Sequence, residues 1–308
     1  MPRRVDLPTH LLGTPFLTAQ ARMGGVGYGR TRSSDLGAPF HGVRVPADRE
    51  PVGLPEAAIL RRVSDYAPRL RPGQFFCELT ALSLWTGLVA YSRRNESVLH
   101  VGANAPACPP QTRGTRPHYY SGLDTHRVAG VPACSPVQAW LQCCVTLPIP
   151  ELVVLGDALL RRKNPLTTLD RLVAAVRAHG SRPGARSARQ AFEQIRPRTD
   201  SPRESELRLL IARGGLPEPV VNATITDARG SFLGFGDLTY LEHRTIVEYD
   251  GEHHFGLDAQ RVHDLDRVDR FRRAEWRVIQ IHRLHLAGDG APALALVREG
   301  LLAAGWRP

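Results

Sequence analysis

Phe232-Leu-Gly-Phe-Gly-Asp-Leu-Thr-Tyr240, followed after a four-residue turn by Thr245-Ile-Val-Glu-Tyr-Asp250, decides how the chain is read. Both runs are rich in β-branched and aromatic residues, and each is bounded by turn formers, which predicts two strands of a hairpin. Side chains alternate along a strand, so Glu248 and Asp250 share one face. The hairpin brings Asp237 beside Glu248.

Working outward, Val220 to Thr226 predicts a preceding strand, and Asp227-Ala-Arg-Gly230 a turn. Pro202 to Ile211 predicts a helix with Ser201 as its N-cap and Gly214-Gly215 as its stop. Downstream, Asp258 to Ala274 predicts a long helix, Trp276 to Ile281 a strand and Ala291 to Ala304 a closing helix. The order is α-β-β-β-α-β-α. Glu204 would approach the strand acids from the first helix. Several carboxylates on one edge repel one another unless a hard divalent cation neutralises them, and oxygen ligands without cysteine suit Mg²⁺ or Mn²⁺.

Charge divides the chain. The 308 residues carry a net charge of +10. Residues 201–308 hold 14 Arg and 16 Asp+Glu, a charge of −2, which leaves +12 on residues 1–200. Lys163 is the only lysine. A basic excess favours anionic partners, nucleic acid first and membrane surface second. No apolar run of 18 residues exists and the N-terminus does not read as a secretory signal, so neither a membrane span nor export is expected. Five cysteines without a Cys-x-x-Cys pair argue against a disulfide framework and a four-ligand zinc site, and point to reduced thiols in a cytoplasm. No phosphate-binding loop, dinucleotide fingerprint or nucleophile elbow is present, which sets ATP, NAD and acyl transfer aside.

The N-terminal half reads as small helices and short strands. Leu17 to Met23 and Thr31 to Leu36 predict two helices, and His41 to Val45 a strand, an order that fits a winged helix-turn-helix. Arg30, Arg32 and Arg44 are its candidate nucleic-acid contacts. Glu56 to Leu70, Glu78 to Leu88, Val137 to Cys144 and Pro150 to Leu160 predict further helices. The expected division is a winged-helix-like region at 1–50, a mixed helical α+β region at 51–176, a basic linker at 177–200 and an αβββαβ domain at 201–308. The fold class is therefore α/β and α+β.

Gly236-Asp237-Leu238 with Val247-Glu-Tyr-Asp-Gly-Glu-His-His254 resembles the PD-(D/E)xK, restriction endonuclease-like core. Within it the run resembles the domain of unknown function 559, related to very-short-patch-repair endonucleases. The resemblance covers about a third of the chain. It implies that Asp237 and Glu248 bind metal, with Glu204 as the acid of the first helix. Asp250 stands where the wider superfamily has lysine, and residues 201–308 contain no lysine. The Glu-Tyr-Asp-Gly-x-x-His form is normal for this subgroup. Gln260, Asp264 and Arg267 on the next helix fit the subgroup as well; Gln260 and Arg267 would orient or contact phosphate, with a helix-surface ion pair between Asp264 and Arg267 as the alternative.

Pro39-Phe-His-Gly-Val-Arg-Val45 and Gly156-Asp-Ala-Leu-Leu160 are similar to landmarks of an actinobacterial arrangement that joins an AbiEi-type antitoxin winged helix to such a domain. The whole implies a Mg²⁺- or Mn²⁺-dependent endonuclease or nickase acting on DNA. His253 or His254 would serve as base in the absence of lysine, ahead of His282 and His285. The alternatives are a DNA-binding, antitoxin-like regulator with an inactive nuclease-like domain, and a metal-binding structural domain. A homo-oligomer is left open.

Overall fold

In the computed structural model, residues 6–251 and 258–308 are described, and the side chains of 252–265 lie outside that description. The elements in chain order begin with β1 (Phe16–Leu17), α1 (Thr18–Met23), β2 (Leu36–Gly37), β3 (Val43–Pro46), α2 (Pro55–Tyr66), β4 (Gln74–Phe76) and α3 (Glu78–Thr86). There follow β5 (Leu99–Asn104), β6 (Thr115–Tyr120), β7 (Thr125–Val128), β8 (Val131–Cys134), α4 (Pro136–Cys143), α5 (Ile149–Leu159), α6 (Leu169–His179) and α7 (Ala185–Phe192). The last are α8 (Pro202–Arg213), β9 (Val220–Thr226), β10 (Phe232–Tyr240), β11 (Thr245–Asp250), α9 (Asp258–Arg273), β12 (Arg277–His282) and α10 (Ala291–Ala303). The chain is thus mixed α and β. It divides into two compact units, 1–151 with 175–188, and 152–174 with 189–308.

The first unit holds two sheets. One is three-stranded and antiparallel, in the order β1-β3-β2. The helix expected over Thr31 to Leu36 is not formed. A single 3-10 turn at Arg30–Arg32 is followed by extended Ser33 and by β2. Ser33, Ser34, Asp35 and Gly37 favour turns because their side chains compete for the backbone or leave it unrestrained. Asp35 accepts two hydrogen bonds from Arg30 at 3.0 Å and locks that turn.

The other sheet lies in the region expected to be mixed α+β, but none of its strands was placed. Its order is β6-β5-β4-β8-β7, with β5 parallel to β6 and β4 parallel to β8. Its strands carry Gly102, Pro117 and His118 among the apolar residues, so the alternation that betrays a strand is broken. Gly102 has a packing reason: a Cβ there would lie 2.9 Å from the Tyr120 ring and 3.0 Å from that of Phe75.

The second unit follows the expected α-β-β-β-α-β-α order closely. Ser201 caps α8, its Oγ accepting the Glu204 N–H at 3.2 Å. The sheet order is β12-β11-β10-β9, with β11 and β12 parallel and the other neighbours antiparallel. One face buries Leu238, Val247 and Ile281 with Leu207 and Ile211 of α8 and Val297 and Leu301 of α10. The other buries Ala223, Ile225 and Ile246 against Phe271 of α9 and Trp276. Fully burying each large apolar side chain contributes ~1.5–3 kcal/mol. The same unit contains an ion pair out of reach of water: Arg208 Nη2 lies 2.8 Å from Asp157 Oδ2, with both side chains at or below 1% exposure. Asp157 also accepts the Arg196 N–H at 2.7 Å. Among the described residues, no helix is long and apolar enough to cross a membrane.

Candidate functional site

The β-sheet register of the second unit assembles a row of polar side chains. Leu238 pairs with Val247 and Val221 with Leu238, so one step along the strands Asp237 stands opposite both Glu248 and Asn222. Glu248 pairs in turn with Gln280. Asn222, Asp237, Glu248 and Gln280 therefore cross all four strands in one line. Asp237 and Glu248 alternate with residues of the α8/α10 core and so point to the face covered by α9. Neighbouring residues in such a line stand with Cβ atoms ~4.5–5.5 Å apart.

Two helices complete the row. Glu204 of α8 is buried, and its Oε2 accepts Asn222 Nδ2 at 2.7 Å and the Asp200 N–H at 3.0 Å. Asn222 holds φ at 44°, the left-handed region, within a strand. Such a conformation costs about 1–3 kcal/mol and persists only where the surroundings impose it. From α9, Arg267 grips Glu248 with both nitrogens, at 2.6 and 3.0 Å, and also donates to the Phe235 carbonyl at 2.8 Å.

The electrostatics follow from this crowding. Burial, and then the neighbouring charges of Glu248 and Glu204, push the Asp237 carboxyl well above its usual range; Arg267 and the Tyr249 N–H only partly offset them. The Glu204 carboxyl is raised as well, by burial first, against its hydrogen bonds from Asp200, Ser201 and Asn222. A buried carboxyl raised by two neighbouring carboxylates is relieved when a cation binds among them.

The structure thus brings together Glu204, Asp237, Glu248 and Arg267. Asp250 shares the Glu248 face, yet it is exposed at the strand end and its described partner is His282, Nδ1 to Oδ2 at 3.5 Å. His253 and His254 lie outside the described residues, and so does the Gln260 side chain. Sequence reasoning missed Asn222, a common turn residue that gave no signal. It also missed Arg162 and Arg198, whose guanidinium groups lie over the Phe235 ring at 4.2 and 5.8 Å.

In the first unit, the arginines expected to meet nucleic acid are engaged within the chain to different degrees. Arg30 is bound to Asp35 and Arg44 to the carbonyls of Thr31 and Val43. Arg32 stacks over Tyr28 and is the exposed one of the three.

The same unit holds a second constellation that sequence reasoning passed over. Among the described residues, one group of three His, Cys, Asp or Glu has its ligand atoms within 4.8 Å of one another: Glu78, His100 and His118. Glu78 starts α3, His100 lies on β5 and His118 on β6, where the parallel register sets His118 opposite Gly102, two residues from His100. His100 Nδ1 is 2.9 Å from Glu78 Oε2, and His118 Nδ1 is 2.9 Å from Glu78 Oε1. Burial alone would raise the Glu78 carboxyl, but the two imidazoles outweigh it and hold it at about 2. The thiol of Cys134 nearby is pushed up to about 12 by burial, so it stays protonated. The triad can hold a metal ion. Its residues lie at sequence separations no short motif announces, on strands that periodicity did not reveal.

Compared with protein-family models, curated proteins and solved structures, the chain finds no match in any of the three.

Proposed function

We propose that the second unit is a metal-dependent nuclease that hydrolyses phosphodiester bonds in DNA, as an endonuclease or nickase. The observation that carries this reading is the convergence of Glu204, Asp237 and Glu248 on one polar row, where burial and the charges of Glu248 and Glu204 raise Asp237. The donor set is all oxygen and anionic, which fits Mg²⁺ or Mn²⁺. Asp237 and Glu248 would hold the ion, with Glu204 as a ligand directly or through water. Bound there, such an ion supplies charge neutralisation and activation of a water.

The protein's own groups do the rest. Asn222 fixes the Glu204 carboxylate. Arg162 and Arg198, stacked on Phe235 at the edge of the row, offer guanidinium N–H groups to a phosphodiester. Arg267, which neutralises Glu248 in the resting arrangement, can turn to a phosphate oxygen once a cation takes over that role. His253, His254 and Gln260 are the proposed groups for placing and deprotonating the water, and Asp250 stands at the mouth of the site beside His282. The basic first unit, with Arg32 outermost, would hold the DNA backbone, so binding should weaken steeply with salt. The test is nicking or cleavage of DNA by the full chain with Mg²⁺, set beside Asp237→Asn and Glu248→Gln. Loss of cleavage in both supports the assignment; unchanged cleavage in both overturns it.

One observation favours a second reading. The two-pronged Arg267–Glu248 pair already neutralises one acid of the row without any metal. A DNA-binding, antitoxin-like regulator with an inert nuclease-like unit would keep that pair permanently. It predicts DNA binding that survives the Asp237→Asn, Glu248→Gln double substitution, with no turnover in the unsubstituted chain at any Mg²⁺ concentration.

A further inference from the structure

We propose that Glu78, His100 and His118 form a binding site for a borderline transition-metal dication of the Zn²⁺ class, distinct in chemistry and place from the acid row. Two imidazoles and one carboxylate are a ligand set suited to zinc and its neighbours rather than to magnesium.

Geometry carries the proposal. His100 Nδ1 lies 2.9 Å from Glu78 Oε2 and 3.1 Å from His118 Nε2. In a tetrahedral site with bonds of ~2.0–2.1 Å, neighbouring ligand atoms stand ~3.3 Å apart. The two separations need to open by only a few tenths of an ångström to accept the ion. The rings of His100 and His118 lie 5.2 Å apart at 15°, with Nδ1 of one and Nε2 of the other brought to 3.1 Å.

Proton placement points the same way. Without an ion, the simplest assignment gives each ring one N–H, both aimed at Glu78. The Nε2 of His100, a ring only 2% exposed, is then left with no hydrogen-bond partner. With Nδ1 given to a metal, Nε2 carries the proton instead, and it faces Glu96 Oε1 at 3.8 Å. A ligating histidine that donates its other N–H to a carboxylate is the usual supporting arrangement around a protein-bound metal. His118 is served similarly: with Nε2 as ligand, its Nδ1–H donates to Glu78 Oε1 at 2.9 Å while Oε2 turns to the ion. Both nitrogens of His118 and both oxygens of Glu78 then have partners, while the His100 Nε2–H faces Glu96 across 3.8 Å, a gap that a small side-chain shift would have to close.

The backbone is set for this. Glu78 has φ at 46°, in the left-handed region, and its N–H is held by Gln142 Oε1 at 2.8 Å. The His100 N–H donates to Thr80 Oγ1 at 2.8 Å, which ties β5 to the first turn of α3. Strained backbone fixed by its surroundings gathers at functional positions. Three protein ligands leave the fourth position of a tetrahedron open, and Glu78 and His118 keep 17% and 18% of their side chains exposed, so a small molecule or water can reach it.

The test uses the full chain, stripped of metal by a chelator and titrated with Zn²⁺, with Co²⁺ as a spectroscopic stand-in. The expected result is one tight equivalent, retained when excess Mg²⁺ fills the acid row. Co²⁺ should give the visible absorption of low-symmetry four-coordination, and a hundredfold excess of Mg²⁺ should not displace either ion. His118→Ala and Glu78→Gln should each weaken binding at least tenfold. The Asp237→Asn, Glu248→Gln double variant should leave it unchanged, which separates this site from the nuclease reading. Because a variant in the core may fold poorly, far-ultraviolet circular dichroism of each apo protein is compared first, and the exposed-edge variant His118→Gln stands in where needed. Absence of stoichiometric binding in the unsubstituted chain, or equal binding by folded His118 variants, overturns the proposal.

Discussion

The acid row of the second unit and the His–Glu triad of the first are both clusters of ionisable side chains built on a sheet, and they handle charge in opposite ways. In the row, carboxylates of like sign stand side by side, and burial with repulsion drives Asp237 upward. In the triad, one carboxylate is flanked by two imidazoles and driven downward, to about 2. The same element of protein structure thus makes one site that is short of positive charge and one that is nearly balanced. A hard dication relieves the first by neutralisation. The second gains little from added charge, and a metal would be taken there for its preference for nitrogen.

That contrast can be broken by experiment. The largest effect is expected on cleavage. Removing a carboxylate from the row should cost several kcal/mol of transition-state stabilisation, a fall of about 10²–10⁴-fold in rate for Asp237→Asn or Glu248→Gln. The same assay on His118→Ala should show less than a threefold change if the triad belongs to a separate site. A large fall there would merge the two clusters into one function.

Next in size is the Asp157–Arg208 pair, the reference for what charge costs when it is buried beside an opposite charge. Asp157→Ala should destabilise the second unit by ~3–5 kcal/mol, because Arg208 is left charged without water. Chemical denaturation measures it. The double variant Asp157→Leu, Arg208→Leu should recover much of the loss, since apolar replacement of a buried pair is often neutral. No recovery would mean that the pair holds the geometry of α5 and α8 for another reason.

The triad gives a smaller effect with a defined pH window. Glu78 is lowered in the folded state, so its contribution is present above the unfolded value of ~4.3 and is lost as pH falls toward 2. The unsubstituted chain should therefore be more stable than Glu78→Gln by roughly 1–3 kcal/mol at pH 6. The gap should close between pH 4.5 and 2, followed by urea unfolding across that range. A gap that persists unchanged at pH 2 would show that shape rather than charge is what Glu78 contributes.

Much of the second unit was legible in the sequence. Ser201 and Gly214-Gly215 bound the first helix, the period of two put Glu248 and Asp250 on one face, and the hairpin placed Asp237 beside Glu248. What the sequence concealed is how the row is completed. Asn222 enters through a left-handed backbone inside a strand, and Arg162 and Arg198 arrive from distant segments to stack on Phe235. The first unit was far less legible. The helix expected over Thr31 to Leu36 lost to turn chemistry at Ser33, Ser34 and Asp35. The five-stranded sheet was hidden because Gly102, Pro117, His100 and His118 stand where alternating apolar residues would mark strands. His100 and His118 were thus invisible for the same reason that they matter, being polar groups placed inside a sheet.

The smallest expected effect sharpens the comparison most, because its sign is opposite to that of Glu78. Asp237 is raised in the folded state, so between its unfolded value of ~3.9 and its folded value the native protein binds more protons than the unfolded chain. Stability therefore falls as pH rises through that window, because the ionised form of Asp237 works against the fold. Asp237→Asn removes the repulsion while keeping the shape and an acceptor for the Tyr249 N–H. It should stabilise the chain by ~1 kcal/mol at pH 7, a rise of a few °C in Tm, and by nothing below pH 3.8. Adding 10 mM Mg²⁺ should narrow the difference by stabilising the unsubstituted chain alone. A gain at pH 7 that Mg²⁺ abolishes is the behaviour of a site strained for an ion; a loss of stability at pH 7 would make Asp237 an ordinary structural acid and leave the row without its reason.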